Sequence, residues 1–185
     1  MNKNATYAIF GGSFDPPHLG HKEIVKKALD FVDKVIVVPT YLNPFKNSFN
    51  VSPKKRYNWA KEIFENKDVI VSDYEINQGK AVYSVDTIKE LSKKYNIKAI
   101  IIGEDNLKNL HKWKDFEYLN NNFLWLIATR GKETKEYSKL KEYKLLPLNI
   151  DVSSTEIREG KKLGFLDEKI KKQVLIEYNI NKKEN

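Results

Sequence analysis

The chain has 185 residues, 41% hydrophobic and 31% charged, with a net charge of +8, enough for one well-formed core and ordinary for a globular protein. It has no cysteine and three histidines, so disulfides and thiolate zinc sites are excluded. Any metal site would have to lean on carboxylates or on a ligand's phosphates. A basic balance suits nucleic acid, an anionic surface or a polyanionic small molecule, but the lysines are interleaved with acids, as in KKALDFVDK and KELSKKY, the pattern of a solvated face.

In chain order, TYAIF (6–10) reads as a buried strand, and LGHKEIVKKALDFV (19–32) as a helix with Ile24, Val25, Ala28, Leu29 and Val32 on one face. VIVVP (35–39) is a second strand, of the continuous apolar kind found in parallel sheets. The polar loop TYLNPFKNSFN precedes a helix expected from Pro53 to about Asn66. DVIVS (68–72) is a short third strand and SVDTIKELSKKY (84–95) a helix. AIIIG (99–103), FLWLIATR (123–130) and LLPLNI (145–150) complete six strands, the last weakened by Pro147. Two helical patterns, STEIREGKK and DEKIKKQVLIEY, close the chain. This alternation predicts a single α/β domain over residues 1–185, with a mostly parallel sheet flanked by helices and right-handed crossovers. MNKNATYAIF reaches glycine too soon for a signal peptide, and no apolar run approaches the roughly 20 residues of a membrane span. A cytoplasmic protein is expected.

In such sheets ligands bind beyond the carboxyl ends of the strands. There the first strand runs into GGSFDPPHLGH, residues 11–21, which holds two of the three histidines. Gly11 and Gly12 permit a tight turn and close approach of a ligand. His18 sits at the start of the first helix and His21 one turn on, so both can face one spot near free N–H groups and a positive dipole end. Two imidazoles there suit phosphate oxygens without a metal. Near the C-terminus, Ser153 and Glu156 of VSSTEIR form a capping-box pattern that puts Ser154 and Thr155 in a first helical turn and Arg158 one turn further. Hydroxyls, N–H groups and a guanidinium fork suit a triphosphate.

GGSFDPPHLGH and VSSTEIR resemble the two signatures of the His-x-Gly-His nucleotidyltransferase superfamily, whose fold is Rossmann-like. AVYSVDTI (81–88) and IIGEDNLKNLHKW (101–113) resemble segments of one branch, the bacterial nicotinate-nucleotide adenylyltransferases, with Tyr83, Ser84, Asp86, Thr87, Gly103, Asp105 and Trp113 in matching places. The resemblance covers about Tyr7 to Arg158 and departs from the pattern at Thr40, Phe45, Ala81, Val82 and Ser84, and after the fifth strand, where Arg130-Gly131 keeps the Arg but lacks the usual proline. It implies adenylyl transfer from ATP to nicotinate mononucleotide, with magnesium carried on the triphosphate and no protein metal ligands. His18, His21, Lys46 and Arg158 would be catalytic. Gly11, Gly12, Ser13, Phe14, Gly103, Asp105, Ser153, Ser154 and Thr155 would join them around ATP, with the helices over 153–180 completing that site. Thr40, Lys46, Tyr83, Ser84, Trp113 and Arg130 would hold the mononucleotide, Trp113 stacking on the pyridine ring and Ser84 capping its helix. The alternatives are another acceptor, nicotinamide mononucleotide or phosphopantetheine, or a non-enzymatic nucleotide- or RNA-binding protein. Neither nucleic acid nor membrane is an expected partner.

Overall fold

The computed structural model describes residues 4–44, 48–130 and 135–180. Six strands form one parallel sheet: β1 (Thr6–Gly12), β2 (Lys34–Pro39), β3 (Val69–Val71), β4 (Asn96–Gly103), β5 (Leu124–Thr129) and β6 (Tyr143–Pro147). Their spatial order is β3-β2-β1-β4-β5-β6. The chain winds outward from β1 to β3, then returns to place β4 on the other side of β1, so the switch point is the crevice beyond the carboxyl ends of β1 and β4.

The strands read as unbroken apolar runs because both faces are covered. Ala8, Phe10, Val35, Val37, Ile101 and Leu126 face one core, filled by helices α1 (Leu19–Ala28), α2 (Pro53–Phe64), α6 (Ser154–Arg158) and α7 (Glu168–Glu177). Tyr7, Ile9, Ile36, Val38, Ile100 and Trp125 face the other core, against α4 (Ser84–Leu91), a 3-10 segment (Glu104–Lys112) and α5 (Phe116–Asn122). A short helix, α3 (Tyr74–Gln78), packs beside α2 and β2.

All six expected strands form, and the helices differ mainly at their ends. α1 stops at Ala28 rather than continuing to Val32, and α6 ends at Arg158, before the left-handed Gly160, rather than running on through GKK. β6 begins two residues earlier than its apolar stretch, at Tyr143, because it is an edge strand whose Tyr143 and Lys144 face outward, and it ends at Pro147. α3, α5 and the 3-10 segment had no counterpart in the sequence reading: each is short, and none carries a sustained apolar stripe.

One buried cation organises the switch-point loops. Arg56, only 1% exposed, lies on the apolar stripe of α2 with Trp59, Ala60 and Ile63. Its guanidinium donates to the carbonyls of Ser13 (2.5 Å), Thr40 (2.8 Å) and Tyr41 (2.8 Å), and its Nε to that of Val51 (3.1 Å). The loops after β1 and β2 are thereby tied to one point. Burial lowers the Arg56 pKa from its ordinary value, and the nearby Asp15 carboxylate acts in the opposite sense. Asp15 in turn accepts from Asn50 Nδ2 (2.8 Å) and from the Tyr178 hydroxyl (2.5 Å), linking the network to the chain after α7. Replacing Arg56 by Met removes the donor from the carbonyls of Ser13, Thr40, Tyr41 and Val51; we expect a loss of about 3–5 kcal/mol of stability, read from urea unfolding. An unchanged urea midpoint would show that the clamp contributes nothing.

Candidate active site

A cavity of about 590 Å³ opens at the switch point between β1 and β4. Its walls come from the strand-end segments after β1, β2, β4 and β5, the start of α4, and the segment entering α6.

At one end stand the two histidines. His18 is the N-cap residue of α1, and its backbone N–H donates to His21 Nδ1 (3.2 Å). The two rings are stacked, with centroids 3.7 Å apart and planes 24° apart. Because His21 Nδ1 is an acceptor here, the proton of its neutral ring sits on Nε2. His18 Nδ1 is buried and has no hydrogen-bond partner among the described residues. Burial, reinforced by the Arg130 charge, lowers the His18 pKa to about 3. Burial, then His18 and Arg130, pushes His21 well below its ordinary value. Both rings are therefore neutral near pH 7, and each keeps one N–H to donate.

The glycine between the histidines has a steric cause. A Cβ on Gly20 would lie 3.1 Å from both His18 Nδ1 and Val152 Cγ1. Gly20 thus lets the His18 ring and the segment entering α6 approach the same helix turn. Gly12 is similarly crowded: a Cβ there would lie 3.1 Å from the Phe14 ring. Phe14 itself is 2% exposed and packs edge-on against Phe10, His21 and Phe64. It lines the cavity, where it was expected at the ATP site, and packs behind His21.

The second signature docks onto the first. Ser153 and Glu156 form the expected capping box, with Ser153 Oγ accepting from Glu156 N (3.2 Å) and Glu156 Oε2 from Ser153 N (2.9 Å). Ser154 Oγ donates to the Pro16 carbonyl (2.8 Å), and Arg158 donates to the carbonyl of Asp15 (2.6 Å) and to Thr155 Oγ1 (3.0 Å). Ser153 and Ser154 line the cavity; Thr155 and Arg158 stand outside its lining. Arg130 does line it, next to Val152, whose carbonyl accepts from its guanidinium (2.8 Å). It is thus on the histidine side, whereas the sequence grouped it with the mononucleotide residues. Glu104, not foreseen, orients this corner by accepting from the Thr129 hydroxyl (2.6 Å) and from Arg130 N–H (3.3 Å).

After β4, Gly103 and Asp105 both line the cavity. The Asp105 carboxylate folds so close over Gly103 that a Cβ there would lie 2.4 Å from Oδ1. At the other end stand Tyr83, Ser84 and Trp113. Trp113 is half-buried and packs edge-on against Trp125. Lys114 pairs with Asp86 (2.9 Å) and lies over the Tyr83 ring (5.2 Å), joining this segment to α4. Ser84 is the first residue of α4, not its cap; Tyr83 is the N-cap residue, and its side chain makes no capping bond. Gly11, Ser13 and Thr40 also face the cavity, Thr40 with a buried Oγ1 that has no partner among the described residues. Phe45 and Lys46 lie outside the described residues.

Residues 9–160 match the cytidylyltransferase-like family. A protein of a Sulfurovum species named "probable nicotinate-nucleotide adenylyltransferase" is 46% identical over 170 residues, 90% of each chain. One of the same name from a Nitratiruptor species is 44% identical over 173 residues, 91% of this chain and 96% of the relative. The solved structure of Plasmodium falciparum nicotinic acid mononucleotide adenylyltransferase complexed with NaAD matches the fold with a TM-score of 0.76 at 22% identity, covering 96% of this chain and 97% of that one. On the family match over most of its length and the identity to these relatives, the chain belongs to the cytidylyltransferase-like family and, within it, to the nicotinate-nucleotide adenylyltransferases.

Proposed function

We propose that this protein transfers the adenylyl group of ATP to the phosphate of nicotinate mononucleotide, forming nicotinate adenine dinucleotide and releasing pyrophosphate. The observation that carries the reading is the pair of stacked, neutral histidines beside Arg130 and the α6 entry, at one end of a cavity whose other end is aromatic. The mononucleotide phosphate is already an anionic nucleophile, so the protein's part is positioning and stabilisation of charge on phosphate oxygens.

In this reading His21 Nε2–H and the N–H of His18 donate to the α-phosphate and the bridging oxygen. Ser154 N–H, Arg130 and the first-turn amides of α1 take the β- and γ-phosphates, while Ser153 holds the start of α6 in place through Glu156. Arg158 still has unused guanidinium N–H groups beyond its bonds to Asp15 and Thr155 and supplies positive charge at the rim. Lys46 is assigned the same role from the loop after β2. Gly11, Gly12 and Gly103 admit the nucleotide close to the backbone, with Asp105 beside it. Trp113 stacks on the pyridine ring, a contact worth roughly 1–3 kcal/mol, and the uncapped start of α4 at Tyr83–Ser84 offers its amides to the ring carboxylate. Magnesium enters as part of the nucleotide substrate. The reaction is assigned to the cytoplasm.

Three measurements test this. With ATP, turnover of nicotinate mononucleotide at pH 7 is expected to exceed that of the nicotinamide compound, and a preference for the amide would overturn the substrate assignment. His18→Ala is expected to lower kcat by about two to three orders of magnitude, the usual effect of losing one transition-state donor, with an unchanged melting temperature. Near-native turnover would remove this residue from the mechanism. In the free protein, burial favours the neutral imidazole, so the ring resonances of His18 and His21 should not titrate between pH 5 and 8. A midpoint near 6.5 for either would contradict the neutral pair.

A further inference from the structure

Three carboxyl groups line the cavity. Glu104 is engaged by Thr129 and Arg130, and Asp105 Oδ1 accepts from Asn106. Glu75, on α3, is different: it is 4% exposed, its Oε1 accepts from the Thr87 hydroxyl (2.7 Å), and its Oε2 is buried with no hydrogen-bond partner among the described residues. Thr87 lies on α4, one turn after Ser84. The bond therefore places Glu75 beside the end of the cavity formed by Tyr83, Ser84 and Trp113.

The charges on neighbouring elements are engaged elsewhere. On α4, Asp86 is paired with Lys114 and Lys89 with Asp115. From α2, the buried Arg56 is committed to backbone carbonyls. The strand β2 supplies Ile36 and Val38, and on the chain of α3 itself the neighbours are Asp73 and Tyr74. Two influences act on Glu75: burial, which raises its pKa from 4.5 to about 7, and the Thr87 hydroxyl, which opposes this. The protonated side chain has an O–H to donate from Oε2; the ionised one can only accept.

We propose that Glu75 reads the substituent of the pyridine ring through its own proton: as the acid it donates from Oε2 to a ring carboxylate, and as the carboxylate it repels that group and accepts from a ring carboxamide. The inference rests on the reaction proposed above and adds to it a residue that sets specificity. It also makes the preference for acid over amide a function of pH, strongest where Glu75 is protonated.

The test compares kcat/KM for nicotinate and nicotinamide mononucleotide from pH 6 to 8.5. This parameter reports ionisations of the free enzyme, and the phosphate common to both substrates cancels in the ratio. The acid-to-amide ratio is expected to fall about thirtyfold between pH 7 and 8.5, following one ionisation near 7. In Glu75→Gln, whose amide can donate at every pH while its oxygen still accepts from Thr87, the ratio should stay nearly constant. Thr87→Val removes the group that favours the carboxylate and should move the fall to higher pH; it serves as the second handle if Glu75→Gln does not fold. A pH-independent ratio in the native protein, or an equal fall in Glu75→Gln, overturns the role of Glu75 and leaves adenylyl transfer standing. Turnover of neither mononucleotide would overturn the reaction, and this inference with it.

Discussion

The site depends on a close approach between segments more than 130 residues apart. Gly20 has no side chain, so the His18 ring and Val152 can share the space where a Cβ would stand. Once they meet, Ser154 and Arg158 fasten the start of α6 to the carbonyls of Pro16 and Asp15. The loop carrying the first histidine and the helix carrying the hydroxyls thus become one wall. Arg56 steadies the other side by gathering carbonyls from the loops after β1 and β2. The glycine of the His-x-Gly-His sequence is a packing requirement, and the chemistry of the two histidines rests on it.

Burial then determines what the histidines can do. Charging either ring would cost desolvation in a setting where Arg130 already supplies positive charge. Neutral rings donate hydrogen bonds without first having to lose solvent, and such preoriented donors stabilise developing charge at little reorganisation cost. The same desolvation acts in the opposite sense on Glu75, whose uncharged form is the protonated one. One physical cause therefore gives neutral imidazoles at the histidine end of the cavity and favours the protonated form of Glu75 at the end formed by Tyr83, Ser84 and Trp113.

Much of this was legible in the residues themselves. Unbroken apolar runs such as VIVVP and AIIIG signalled strands buried on both faces, and the six strands lie where those runs are. The double signature announced that the start of α6 would join the first histidine loop, down to the Ser153–Glu156 capping box. What stayed hidden has specific causes. Arg56 did leave a trace, a charge on the apolar stripe of α2 beside Trp59 and Ile63, but its partners are backbone carbonyls, which no side-chain pattern reveals. Glu75 sits on a five-residue helix with no periodicity to betray it. The packing of Phe14 against His21 was not readable from its position in the motif. The side of the cavity taken by Arg130 depends on the Val152 carbonyl, a contact across 22 residues that spacing alone does not give.

The central claim is that this cavity positions two anions and lets one displace pyrophosphate from the other, with no bond formed to the protein. The stereochemical course at the α-phosphorus tests this most directly. Using ATP made chiral at that phosphorus by a single sulfur substitution, the dinucleotide should form with inversion, as a single in-line displacement requires. Retention would mean two displacements, with an adenylylated side chain between them, and would contradict the account of the histidines as hydrogen-bond donors.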